Sequence, residues 1–216
     1  LAWRDTSFPE RRERLRRAAA RLREDEPRLA SLMTEEMGKP IAEGKGEINA
    51  AADQFEWYSE ETKRIYGQMI EARTHESRMA VIYQPVGVVA AFSAWNFPAL
   101  LPARKIAAAL AAGCSIIIKP ASETPASCAG LVAACHDAGI PAGVVNMVTG
   151  NSARIADQLI RSPIVRKVSL TGSVPVGKQV LALAAEGVKK VSMELGGHGP
   201  VVVFNDFDPV AAAEVC

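Results

Sequence analysis

The sequence predicts an α/β protein: a doubly wound, mostly parallel, Rossmann-like sheet preceded by N-terminal helices. Three observations predict it. From Val86 onward, apolar runs of strand length alternate with alanine- and leucine-rich helical patterns across short connections. Those runs, such as Val88 to Phe92 and Ile116 to Ile118, are continuously apolar, the pattern of strands covered on both faces. Before residue 72 the apolar residues recur at helical spacing. Crossovers between parallel strands are right-handed, which makes the domain doubly wound. At 216 residues the chain is long enough to bury a full core.

Each element has its own signals. Ser7-Phe8-Pro9-Glu10 reads as a capping box, followed by Leu15, Ala18, Ala19 and Leu22 on one helical face. Asp25-Glu26-Pro27 restarts a second helix, which Gly38 and Pro40 end. A third runs from about Ile41 to Ile65, with Ile48, Ala51, Ala52 and Phe55 facing inward. Residues 73–85 are expected to be an extended bridging or oligomerisation arm, with Met79 to Tyr83 strand-like and Pro85 arguing against a central strand. Residues 1–72 are then the N-terminal helices, and 86–216 the dinucleotide-binding part. Strands are expected at Val86 to Phe92, Ser115 to Ile118, Val144 to Val148, Arg166 to Leu170, Val188 to Met193 and Val201 to Phe204. Helices are expected at Ala99 to Ala112, from Thr124 to Gly139, from Asn151 to before Pro163, and from Val174 to Glu186.

Bulk properties exclude several classes. With 49% hydrophobic and 23% charged residues, the composition is that of a globular protein rather than a disordered chain. A net charge of +1 gives no electrostatic case for nucleic acid or an anionic membrane. No apolar run approaches the roughly 20 residues of a membrane helix, and no signal peptide is recognisable. The four cysteines lack CxxC spacing and sit in apolar surroundings, so reduced thiols and a cytoplasmic setting are expected. No metal-ligand spacing is visible; Cys128, Cys135 and His136 match no zinc pattern. The start at Leu1 and the stop at Cys216 read as those of a piece of something longer.

Candidate chemistry lies in four turns at strand carboxyl ends, where open α/β sheets bind ligands. Ala94-Trp95-Asn96-Phe97-Pro98 offers a flat aromatic surface and a neutral amide before a helix. Asn96 either donates to negative charge on oxygen or simply caps that helix. Lys119, just after a buried strand, is suited to a ribose or phosphate, with Ser122 beside it, or it snorkels to the surface. Gly172-Ser173 would let backbone approach a pyrophosphate at a helix start. Glu194, ahead of Gly196 and Gly197, is either a partly desolvated general base or a strand-end carboxylate paired with Lys189 or Lys190. His198 reads as a loop residue. Gly172 to Lys178 also matches the first seven positions of a phosphate-binding P-loop, with Val201 to Asp206 as its second strand. Gln179 lacks the metal-binding hydroxyl, and Pro175 removes a backbone donor, which tells against an NTPase.

Together the turns resemble the aldehyde dehydrogenase superfamily. Five stretches carry the resemblance, in the family's order: Ala94 to Pro98, Ala112 to Pro125, Gly143 to Gly150, Leu170 to Ser173 with Gly177, and Met193 to Gly197. The set is most similar to the branch of succinate-semialdehyde dehydrogenases. The resemblance implies a truncated aldehyde dehydrogenase fold and NAD(P)+ as cofactor. It also implies oxidation of a small aldehyde, with succinate semialdehyde a candidate, through a cysteine thioester. It gives Asn96 the oxyanion and Glu194 the activation of water. It gives Trp95, Asn96, Lys119, Ser122, Gly172, Ser173 and Leu195 cofactor contacts, and Gly143 a place near the adenine. Ser122, where many NAD-preferring relatives have Glu, implies that NADP+ is accepted. Cys216, 22 residues after Glu194 and without the family's Gly-Gln neighbours, reads as structural. The nucleophile is therefore expected beyond this sequence, and the chain alone is expected to be inactive. Homodimers or homotetramers are implied for the parent. A dinucleotide-binding module without catalysis is the alternative reading.

Overall fold

The structure, a computed structural model, describes residues 3–215; Cys216, and with it the reading of that residue, lies outside them. Three helices come first, the third packed against both of the others: α1 (Phe8–Glu24), α2 (Glu26–Met37) and α3 (Ile41–Glu61). A single 3-10 turn, Thr62–Arg64, follows α3. An antiparallel hairpin of β1 (Gln68–Ile70) and β2 (Met79–Val81) stands next. The remaining chain alternates β3 (Val88–Phe92), α4 (Leu100–Ala111), β4 (Ser115–Lys119), α5 (Pro125–Asp137), β5 (Val145–Met147), α6 (Ser152–Arg161), β6 (Val165–Gly172), α7 (Val174–Glu186) and β7 (Lys190–Leu195), before α8 (Pro209–Val215).

The five strands β3 to β7 pair in parallel in the order β5-β4-β3-β6-β7. The chain therefore winds outward from β3 in one direction, then returns to pair β6 on the other side of β3. That reversal opens a crevice beyond the carboxyl ends of β3 and β6. One face of the sheet packs on α1 to α5, with Leu15, Leu22, Leu29, Ile48, Phe55, Ile106 and Leu131 fully buried. The other face packs on α6 and α7 through Ala90, Phe92, Ile160, Val168, Leu170 and Val180.

Several expectations are corrected. The Ser7 side chain makes no cap hydrogen bond, so the capping box does not form. Helix α3 ends at Glu61, short of Ile65. The strand expected in the arm forms at Met79–Val81, and its partner within the chain is β1, which was not expected. Gly67, just before β1, permits this pairing: a Cβ there would lie 1.9 Å from the Val81 carbonyl oxygen. Val201 to Phe204 forms no strand, and all four residues are exposed.

Two helix starts at the carboxyl rim of the sheet, those of α4 and α5, are closed by carboxylates from other helices. Thr124 precedes α5 but makes no side-chain cap bond. Instead Glu36 of α2 accepts from Ala126 N at 2.6 Å, Ser127 N at 2.8 Å and Ser127 Oγ at 2.7 Å. A carboxylate there meets the positive end of the helix dipole and its unpaired N–H groups. Glu36→Ala is expected to lower stability by about 1–2 kcal/mol. Urea unfolding checks this: the midpoint should fall with the slope unchanged.

Candidate functional site

The crevice is built from the first turns after each strand. After β3 the chain leaves the sheet through Ser93 and presents Trp95, Asn96 and Phe97, all exposed; Trp95 is 55% accessible. Asn96 does not cap the following helix. The N-cap of α4 is Ala99, and Glu47 of α3 accepts from Ala99 N at 2.8 Å and from Leu100 N at 3.0 Å. Lys39 Nζ donates to the other carboxylate oxygen of Glu47 and to the Asn96 carbonyl, the latter at 2.8 Å. The same ammonium lies 4.1 Å from the centre of the Phe97 ring. Asn96 is therefore held through its backbone while the residue itself is exposed.

After β4, Lys119 is buried, not snorkelling, and donates to Ser122 Oγ at 3.1 Å. Burial lowers the pKa of its amine, with Glu123 opposing. After β6, Gly172 closes the strand and Ser173 is the N-cap of α7 without a side-chain cap bond of its own. Among the described residues no carboxylate closes this helix, in contrast to α4 and α5. Val174 already begins α7, so Gly172 to Lys178 is a strand end running into a helix and not an eight-residue phosphate loop. Gly177 lets Leu195 lie against the first turns of α7; a Cβ there would sit 2.6 Å from Leu195 Cδ2.

Glu194 lies in β7 itself, paired with Thr171 of β6. Its side chain is 56% exposed, on a strand that no further strand covers among the described residues. Its partners are Thr171 Oγ1, donating at 3.1 Å, and Arg104 Nη1 at 3.6 Å. Lys189 instead donates to the Ser162 and Val165 carbonyls. Arg104 stands on α4, the helix that follows the Asn96 turn, so Asn96 and Glu194 share one rim and are bridged by that helix. Gly143 is not part of this gathering. It precedes β5, at the amino end of the sheet, and its carbonyl accepts from the Asn146 side chain. The glycine on the rim side of β5 is Gly150.

Sequence reasoning missed Lys39, Glu47, Arg104 and Lys105. For the last two a signal existed: consecutive cations interrupting the apolar helix Leu100–Ala111. Lys105 Nζ donates to Ser169 Oγ of β6 at 3.1 Å. Burial lowers its pKa to about 8, with the Glu194 carboxylate raising it and Arg104 and Lys167 lowering it. Since the folded value is depressed from 10.5, the cost of the buried charge is fully present below pH 8 and is relieved as pH rises toward 10.5. The rate of amine labelling at Lys105 should therefore titrate with a midpoint near pH 8. Glu194→Gln should move that midpoint lower; a midpoint at 10.5 would contradict the burial.

Known proteins resemble this chain in sequence and fold. The sequence pattern of the Aldehyde dehydrogenase family matches residues 1–216. The chain is 52% identical over 206 residues to 4-(hydroxymethyl)benzenesulfonate dehydrogenase of Comamonas testosteroni, covering 95% of this chain and 43% of that one. It is 48% identical over 213 residues to the NADP(+) succinate-semialdehyde dehydrogenase of Escherichia coli strain K12, covering 99% and 44%. The crystal structure of an E. coli NADP-dependent enzyme superposes with a TM-score of 0.94 at 48% identity, over 99% of this chain and 44% of that one. The chain thus spans less than half the length of these relatives. It belongs to the aldehyde dehydrogenase family.

Proposed function

We propose that this chain is the NAD(P)+-binding part of an enzyme that oxidises a small anionic aldehyde to its acid. The observation that carries the reading is the convergence, around the crevice between β3 and β6, of an exposed amide (Asn96), a helix start without a carboxylate cap (Ser173) and an exposed carboxylate (Glu194). Residues 86–216 would hold the dinucleotide and 1–72 would support them. The hairpin within 66–83, with Tyr66, Met69, Ile82 and Tyr83 exposed, would join subunits of a dimer or tetramer. The free buried cysteines Cys114, Cys128 and Cys135 fit a reducing, cytoplasmic setting.

The residues present fit a dinucleotide. The start of α7 offers N–H groups and a dipole to the pyrophosphate. The Lys119–Ser122 pair offers a cation and a hydroxyl to the ribose or its 2′-phosphate, and Trp95 and Leu195 offer apolar walls. When bound, the nicotinamide supplies the hydride acceptor. A cysteine thiolate adds to the aldehyde carbon, and the carbonyl oxygen takes the electron pair and is held by the Asn96 amide. Loss of hydride leaves a thioester. Glu194 takes a proton from water, which attacks the thioester carbon and releases the acid and the thiolate. The described cysteines are poor nucleophiles: burial pushes the Cys128 thiol up to about 12 and Cys135 higher, and Cys114 stands at the amino end of β4. We read the thiolate as supplied by a cysteine outside the described residues; because Cys216 lacks the family's Gly-Gln neighbours, these 216 residues by themselves are expected to show no dehydrogenase activity.

Arg104 supports the anionic substrate. It is an exposed cation on the rim, 3.6 Å from Glu194 and on the helix that follows Asn96. The relatives named above act on a sulfonate and on a succinate semialdehyde, both anionic at neutral pH.

Two measurements on the full-length enzyme test the reading. Asn96→Ala should lower kcat by about 10²–10³-fold, the cost of one oxyanion donor. Ser122→Glu should lower kcat/KM for NADP+ relative to NAD+ by about tenfold or more, because a carboxylate beside the 2′-phosphate repels it. An unchanged cofactor ratio would remove Ser122 from cofactor choice.

A further inference from the structure

Lys39 and Glu47 bear on the crevice without entering it. Lys39 is 8% exposed and Glu47 5%, so the pair has been taken out of water. Both oxygens of Glu47 are used: one by Lys39, the other by the N–H groups of Ala99 and Leu100. Lys39 reaches the Asn96 carbonyl and the face of the Phe97 ring. The pair therefore grips the segment 96–100 at four points, one of them the backbone of Asn96 itself and another the ring of the next residue.

A buried ion pair is a poor way to gain stability, since apolar residues of similar volume often serve as well. What it does offer is direction, because each bond fixes an atom along a line. The turn 95–97 is exposed and pairs with no strand, so nothing in the sheet fixes where its amide points. An oxyanion donor displaced by about 1 Å loses much of its effect. We infer that Lys39, seated by Glu47, is a positioning residue that aims the Asn96 amide at the reacting oxygen. This rests on the reading of Asn96 as oxyanion donor.

The test is a double-variant cycle in the full-length enzyme, with kcat and the KM for NADP+ as readouts. Lys39→Met should lower kcat by about 10–100-fold and leave KM for NADP+ within about threefold. In an Asn96→Ala background the same substitution should cost less than about twofold, because no amide remains to be aimed. Lys39→Met/Glu47→Gln, which leaves no buried charge unpaired, should follow the same pattern and serves where the single variant does not fold. Equal losses in both backgrounds, an unchanged kcat in Lys39→Met, or failure of both charge variants to fold would overturn the inference and leave the pair purely structural. An unchanged kcat in Asn96→Ala would instead remove the oxyanion reading itself.

Discussion

The buried pair of Lys39 and Glu47 is the constraint on which the rest of the site depends. It joins two parts of the chain that local sequence would keep apart: the helices α2 and α3, and the turn between β3 and α4. Burying both charges is costly unless every group finds a partner. Here the partners are the backbone of the turn and the open end of a helix, so the pair is satisfied only if the turn lies where it does. The N-terminal helices are therefore more than a cover for the sheet. They carry the groups that shape its working rim.

The same logic sorts the helix starts along that rim. Glu47 closes α4, Glu36 closes α5, and Asn151 closes α6 by accepting from Arg154 N. Each uses the N–H groups and dipole that would otherwise attract an anion. Helix α7 keeps its own start, because its N-cap serine leaves it open and Gly177 lets it settle closely on Leu195. A phosphate entering the crevice thus meets one receptive helix end next to the strand reversal. On the neighbouring sheet face, Arg104, Lys105 and Lys167 form a cationic border against which Glu194 is set.

Most of the fold was legible because it rests on local patterns. Continuous apolar runs announced the parallel strands, and the helices ended within a few residues of Gly38, Gly139 and Pro163. Failures came where the deciding contact is distant. Ser7 and Asn96 look like caps in sequence, but Asn96 leaves the role to a carboxylate 52 residues away from Ala99. Val201 to Phe204 has strand composition, yet among the described residues no neighbouring strand offers to pair with it. Gly143 lies in a matching stretch but at the wrong end of β5. Glu194 lies within β7 itself, so its pairing with Thr171 and not the glycines after it sets its place. Lys39 and Glu47 gave no sign at all: a lysine after a helix-ending glycine and a glutamate within a helix are ordinary solvated residues until the fold buries them together.

The central claim is that these separate turns surround one nicotinamide nucleotide. A crystal structure of the full-length enzyme with NADP+ bound tests it most directly. The account predicts the pyrophosphate on the first N–H groups of α7, the ribose phosphate beside Lys119 and Ser122, and the nicotinamide between Asn96 and Glu194. A nucleotide seated away from the β3–β6 crevice would contradict it.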